Sequence, residues 1–144
     1  MNTVPRVEGQ ILLCDAAQEV GGKLYVLGGG WSRVVSPGPF NMALAVKLGI
    51  PWHLANTRLK VMIALLDQDG GAVHNEKQLP IRVEVQVEVG RPPGLSAGTT
   101  LDWAMAISVP GLSVAFGGYR WELTIDGELV TAATFEVLAP PSRQ

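Results

Sequence analysis

Charge is scarce in this sequence. Only 17% of the 144 residues are Asp, Glu, Lys or Arg, where soluble domains usually carry about 25%. The 11 Lys and Arg are scattered and outnumbered by 13 Asp and Glu. No basic stripe is available to neutralise phosphates, which argues against nucleic acid as a partner. Cysteine is nearly absent: Cys14 stands alone, cannot close an internal disulfide, and reads as a buried, inert thiol in the apolar run Ile11–Cys14. That run stops at Asp15, too short for the apolar core of a secretion signal. No stretch approaches the ~18 apolar residues of a membrane-crossing helix. A cytoplasmic chain without membrane contact is therefore expected.

What the sequence has is punctuation. Seventeen glycines and ten prolines cut it into short apolar segments, the pattern of strands and turns. Ile81, Val83, Val85, Val87 and Val89 alternate with Arg82, Glu84, Gln86 and Glu88, which predicts a strand with one face on a core and one in water. Leu101, Trp103, Met105, Ile107 and Val109 share a face, as do Tyr119, Trp121, Leu123 and Ile125. Asp126-Gly127 then supplies a tight hairpin turn into Leu129–Leu138. Upstream, Ile11–Ala16, Lys23–Leu27, Ser32–Val35 and Met42–Ile50 read as strands separated by Gly21-Gly22, Gly28–Gly30 and Pro37-Gly38-Pro39. Leu59, Met62, Ile63 and Leu66 fit a helical stripe, while Leu59, Val61, Ile63 and Leu65 fit a strand equally well; the Asp69-Gly70 turn that follows selects strand. Pro51–Asn56 predicts one helical turn.

The expected fold is all-β: a two-layer antiparallel sandwich of about eight strands, immunoglobulin-like or jelly-roll-like, with at most that one short helical turn. Residues 1–139 form the single domain and 140–144 a short flexible tail. Val83, Val85, Val87, Trp103, Met105, Tyr119, Trp121, Leu123 and Phe135 are the expected core.

Motifs for chemistry fail on context. Gly94-Leu95-Ser96-Ala97-Gly98 matches a nucleophile elbow, which needs a strand before it and a helix after it. Here Pro92-Pro93 precede and a strand follows, and both histidines, His53 and His74, come earlier in the chain. Asp67-Gln68-Asp69-Gly70 opens like a calcium loop, but Ala72 and Gln78 occupy the positions that require Gly and Glu. Gly28-Gly29-Gly30 lacks the Lys-Ser/Thr of a phosphate loop and a helix to follow it. His53 and His74 have no cysteine partner for zinc. No catalytic residue, metal or cofactor is expected.

Five segments taken together carry a resemblance: Ile11–Ala17, Gly22–Gly29, Ile50–Asn56, Leu65–Gly70 and Gly118–Leu123. They resemble a family of small bacterial proteins classed only as a domain of unknown function. The resemblance covers nearly the whole chain and implies a stand-alone β domain. It transfers no catalytic residue.

Function must then be argued from surfaces. Several strands are apolar on both sides: Ala43 and Ala45 back Met42, Leu44, Val46 and Leu48, and Ala104 and Ala106 back Trp103, Met105 and Ile107. One apolar face per sheet suffices for a monomeric sandwich, so the second face suggests cover by another chain. Cover by the chain's own loop is the alternative. The expectation is a non-enzymatic interaction or self-assembly module, binding itself or another protein at a sheet face or strand edge, with Ala43, Ala45, Ala104 and Ala106 at the interface. The alternative function is a small-molecule or carbohydrate-binding sandwich using Trp31, Trp52 and His53 at one end.

Overall fold

A computed structural model describes residues 4–36 and 38–142. Nine strands follow one another: β1 (Glu8–Val20), β2 (Lys23–Gly29), β3 (Arg33–Val35), β4 (Phe40–Ile50), β5 (Leu59–Asp67), β6 (Arg82–Val87), β7 (Leu101–Leu112), β8 (Gly117–Ile125) and β9 (Glu128–Leu138). The expected helical turn is a single 3-10 turn at Trp52–Leu54. Pro37 of the expected Pro37-Gly38-Pro39 turn lies outside the described residues, as do positions 143–144 of the expected tail.

The strands form two sheets, ordered β2-β1-β4-β7 and β3-β9-β8-β5-β6. All pairings are antiparallel except β3 with β9, which run parallel. The all-β sandwich is therefore as the sequence predicts, with that one parallel edge in addition. Leu59–Asp67 is a strand, paired with both β6 and β8. Hairpin geometry at Asp126-Gly127 follows from left-handed backbone at both residues (φ 49 and 86), the conformation of a type I′ turn.

Period-two alternation sends Met42, Leu44, Val46, Leu48 and Ile50 inward from the first sheet and Val61, Ile63, Leu65, Trp121, Leu123 and Phe135 inward from the second. One side of the sandwich is closed. Gly9 of β1 lies so near β9 that a Cβ there would meet Val130 and Thr131 at 3.0 and 3.2 Å. The β2–β3 link crosses on the same side, where Trp31 meets Phe135 edge-on with centroids 6.3 Å apart.

The other side is open. It is bounded by β6 and β7, each paired along one edge only. Of the expected core, Val87, Trp121, Leu123 and Phe135 are buried, whereas Val83, Val85, Trp103, Met105 and Tyr119 are half-buried. Their facing is right, but four of these five belong to the two edge strands, where no further strand among the described residues covers them.

β1 does two jobs. Glu8–Cys14 pairs with β4 and Cys14–Val20 pairs with β2. Leu13 packs in the main core, while Cys14 and Ala17, three residues apart, share a separate cluster with Ala43, Ala45, Leu24 and Val26. The alternation thus slips between Cys14 and Ala17. Opposite Asp15 stands Gly28 with φ +60, where any Cβ would collide with the Asp15 carboxylate. Beyond this slip the hairpin folds back over the outer face of its own sheet, near enough for β2 to approach β7.

Candidate functional site

β7 is the feature that sets this sandwich apart. Trp103, Ala104, Met105, Ala106 and Ile107 are five consecutive apolar residues, all half-buried, on a strand that pairs with β4 alone. Trp103, Met105 and Ile107 touch the core with their inner face. Ala104 and Ala106 lie on the outer face, the face over which the β1–β2 hairpin of the same chain folds and approaches β7. An edge strand offers unpaired N–H and C=O groups, and natural sheets block such edges with charge, proline, bulges or short length.

The other edges show those devices. β3 is three residues long. β6 carries Arg82, Glu84 and Gln86 on its water-facing side. There the Lys60 ammonium, 2.8 Å from Glu84, hydrogen-bonds the carboxylate and holds it below its ordinary value. β2 exposes Tyr25 and Leu27, but the left-handed Gly28 breaks the regular edge. β7 carries its devices at its two ends. Near one is Asp102, paired with Lys47 at 3.7 Å across an exposed surface; near the other is Pro110 with the left-handed Gly111 (φ 61), where the register with β4 shifts. Trp103–Val109 between them pairs with β4 without interruption.

The four expected interface alanines divide. Ala104 and Ala106 are on β7. Ala43 and Ala45 are 2% and 3% exposed, because Ala17, Leu24 and Val26 of the chain's own hairpin pack over them. Cys14 shares that layer, its thiol donating to the Ala43 carbonyl at 3.4 Å. Burial raises its pKa, and the neighbouring Asp15 charge adds to the shift. A cleft of about 410 Å³ between hairpin and sheet is lined by Leu12, Leu24, Val26, Ala45 and Lys47.

Trp31, Trp52 and His53 do not converge. Trp31 packs at the Tyr119–Phe135 end of the second sheet, where those two rings stack at 5.7 Å. Trp52 and His53 occupy the 3-10 turn at the opposite end. There the Arg91 guanidinium lies 4.5 Å over the Trp52 ring and donates to its carbonyl at 2.8 Å. His53 lines a cleft of about 650 Å³ with Arg6, Asp126 and Glu128 around Leu59 and Ile125.

The rejected motifs have local structural work. Asp67 Oδ1 accepts from the backbone N–H groups of Asp69 and Gly71, which makes it a turn-forming group. The Ser96 carbonyl accepts from the Thr99 N–H and hydroxyl, closing a turn in an exposed loop. No cluster of three or more His, Cys, Asp or Glu suited to a metal is found among the described residues. Nor is any helix among them long and apolar enough to cross a membrane.

The model of DUF6941, a family of unknown function, matches residues 10–138. The chain belongs to this family. The DUF6941 match runs from β1 to the last residue of β9, so the two-sheet core, the hairpin and the β7 edge all fall inside it. The resemblance to a small single-domain family of unknown function is thereby confirmed. No curated protein matches the chain.

Strand order was the missing information in the sequence. The five-residue apolar run was visible, but whether it lay in the middle of a sheet or at its edge was not. Only the second placement makes an apolar strand a candidate site.

Proposed function

We propose that this chain is a non-enzymatic self-association module whose copies join along the unpaired edge of β7. One observation carries the reading: Trp103–Ile107 is a half-buried, uncharged, edge-exposed stretch with the register shift of its strand confined to Pro110–Gly111 beyond it, while β3 is short, β6 is charged and β2 is broken by glycine within its length. Strand addition at such an edge completes main-chain hydrogen bonds and covers Trp103, Met105 and Ile107 together. Low overall charge leaves little repulsion between copies. The absence of catalysis rests on the Ser96 loop, whose serine sits in a plain turn, and the location is taken as bacterial cytoplasm.

Light scattering on the purified chain at micromolar concentration tests it. A dimer or larger species is expected, and Ala106→Lys should return it to monomer with the fold intact by circular dichroism. A monomeric wild-type chain overturns the reading. Labelling of Ser96 by a fluorophosphonate probe, abolished in Ser96→Ala, would overturn the non-enzymatic part.

The small-molecule reading keeps one supporting observation, the cleft beside His53. Its size lies within the roughly 300–1,000 Å³ of ligand sites, and it combines an apolar floor with Arg6, Asp126 and Glu128. Ligand-induced shifts in the His53 imidazole resonances that vanish in His53→Ala would favour it.

A further inference from the structure

The self-association reading leaves open which partner strand β7 meets and in what register. Residues Leu101–Val109 run apolar, polar, apolar, small, Met, small, apolar, polar, apolar. The pattern is the same in both directions about Met105. A two-fold interface brings each residue of one copy against a second residue whose own counterpart meets the first. A strand that pairs with itself across a dyad therefore needs a sequence that matches its own reverse. β7 has one.

We infer that β7 pairs antiparallel with β7 of a second copy about a dyad through Met105, joining two four-stranded sheets into one of eight. This rests on the self-association reading above and fixes its partner and geometry. Three constraints select the register. First, the inner faces of both copies must stay on the same side of the joined sheet, so opposed residues share a face and the dyad passes through a residue and not between two. Second, centring on Met105 sets Trp103 opposite Ile107, Ala104 opposite Ala106 and Leu101 opposite Val109 of the second copy. The one charge, Asp102, then faces Ser108, a hydroxyl that can donate to the carboxylate, and no like charges are opposed.

Third, the neighbouring registers are worse. A dyad at Ala104 places Asp102 against Ala106 of the second copy, leaving the carboxylate without a partner across the interface. A dyad at Ala106 places Asp102 against Pro110, which lacks an N–H for the ladder. With Met105 at the centre, Pro110 falls opposite Thr100, just outside the strand. The chemistry of the edge is thus that of a self-partner: bulky residues cover bulky residues over the open core, and alanine lies against alanine on the outer face.

Cysteine cross-linking reads the register. Directly opposed residues of an antiparallel pair have Cα atoms about 4.5–5.5 Å apart, inside the roughly 4.4–6.8 Å span of a disulfide. Diagonal neighbours are about 7–8 Å apart and out of reach. Met105→Cys should give a disulfide dimer on mild oxidation of the full chain, seen on a non-reducing gel. Ala104→Cys and Ala106→Cys should each fail alone and cross-link when mixed. The mixed pair keeps the test open if Met105→Cys folds poorly, since both alanines face away from the core. Wild-type chain is the control, its Cys14 being buried.

A wild-type oligomer by light scattering with Ala104→Cys or Ala106→Cys cross-linking alone overturns the Met105 register and leaves self-association standing. An oligomer in which none of these cysteines cross-links overturns the β7 pairing. A monomeric wild type overturns both.

Discussion

Gly9 and Val130 meet where the two sheets close on each other, and the Gly9 Cα approaches so nearly that an added Cβ would stand 3.0 Å from Val130 Cγ1. Leu48 and Thr131 crowd the same point at 3.2 Å. This contact pulls β1 against β9 and shuts one side of the sandwich. Among the described residues β1 and β9 make many close contacts on this side, whereas β6 and β7 on the other side are not joined in this way.

Gly9→Val should therefore destabilise the fold by about 1–3 kcal/mol, the usual range for forcing extra methyl groups into a packed site. Gly9→Ala should cost less, because a shift of a few tenths of an ångström by Val130 would accommodate one Cβ. Urea unfolding followed by tryptophan fluorescence measures both. A Gly9→Val midpoint equal to wild type would mean that the seam is looser than this geometry.

Ala45 and Ala106 have the same side chain and opposite expected behaviour. Ala45 is buried beneath Leu24 and Val26 of the chain's own hairpin, so Ala45→Glu places an unpaired carboxylate in a dry layer. It should destabilise the monomer by roughly 3 kcal/mol or more. Ala106, half-buried on the edge, should tolerate lysine within about 0.5 kcal/mol in the monomer. Thermal melts combined with light scattering separate the two. Dissociation of Ala45→Glu without unfolding would show that the hairpin does not cover Ala45 in solution.

Those two alanines also mark how far the sequence could be read. Alternation fixed facing well: Val83, Val85 and Val87 point inward against Arg82, Glu84 and Gln86 as the pattern requires. The Asp126-Gly127 turn and the short turn at Trp52–Leu54 were equally legible, because glycine, proline and aspartate act through local backbone geometry. The second apolar face of β4 was legible as a face needing cover. What covered it was not, since the slip in β1 at Cys14 and the fold-back of the hairpin depend on packing between segments about thirty residues apart. The same limit applies to Trp31 and Trp52. Both sit at segment ends in the sequence, but only the sheet order sends them to opposite ends of the molecule.

Cys14 provides a test of the fold-back that does not depend on any partner. Its side chain is 0% exposed, and burial, with Asp15 beside it, raises the thiol above its ordinary value of 9.0. The thiolate is the reactive form, so iodoacetamide should alkylate native protein at neutral pH far more slowly than urea-unfolded protein. The linkage has a definite sign. A thiol whose folded-state pKa is raised contributes stability that is fully present below 9.0 and is lost as pH climbs through the folded value, because the unfolded chain ionises first. Tyr119, raised above 10.0 by burial and by Asp67, acts in the same direction at higher pH. Unfolding free energy should thus fall as pH rises above 9.0, and Cys14→Ala should remove the earlier part of that fall. Rapid alkylation of the native chain at neutral pH would mean that the β1–β2 hairpin lifts off Ala43 and Ala45, leaving that face open to a second layer after all.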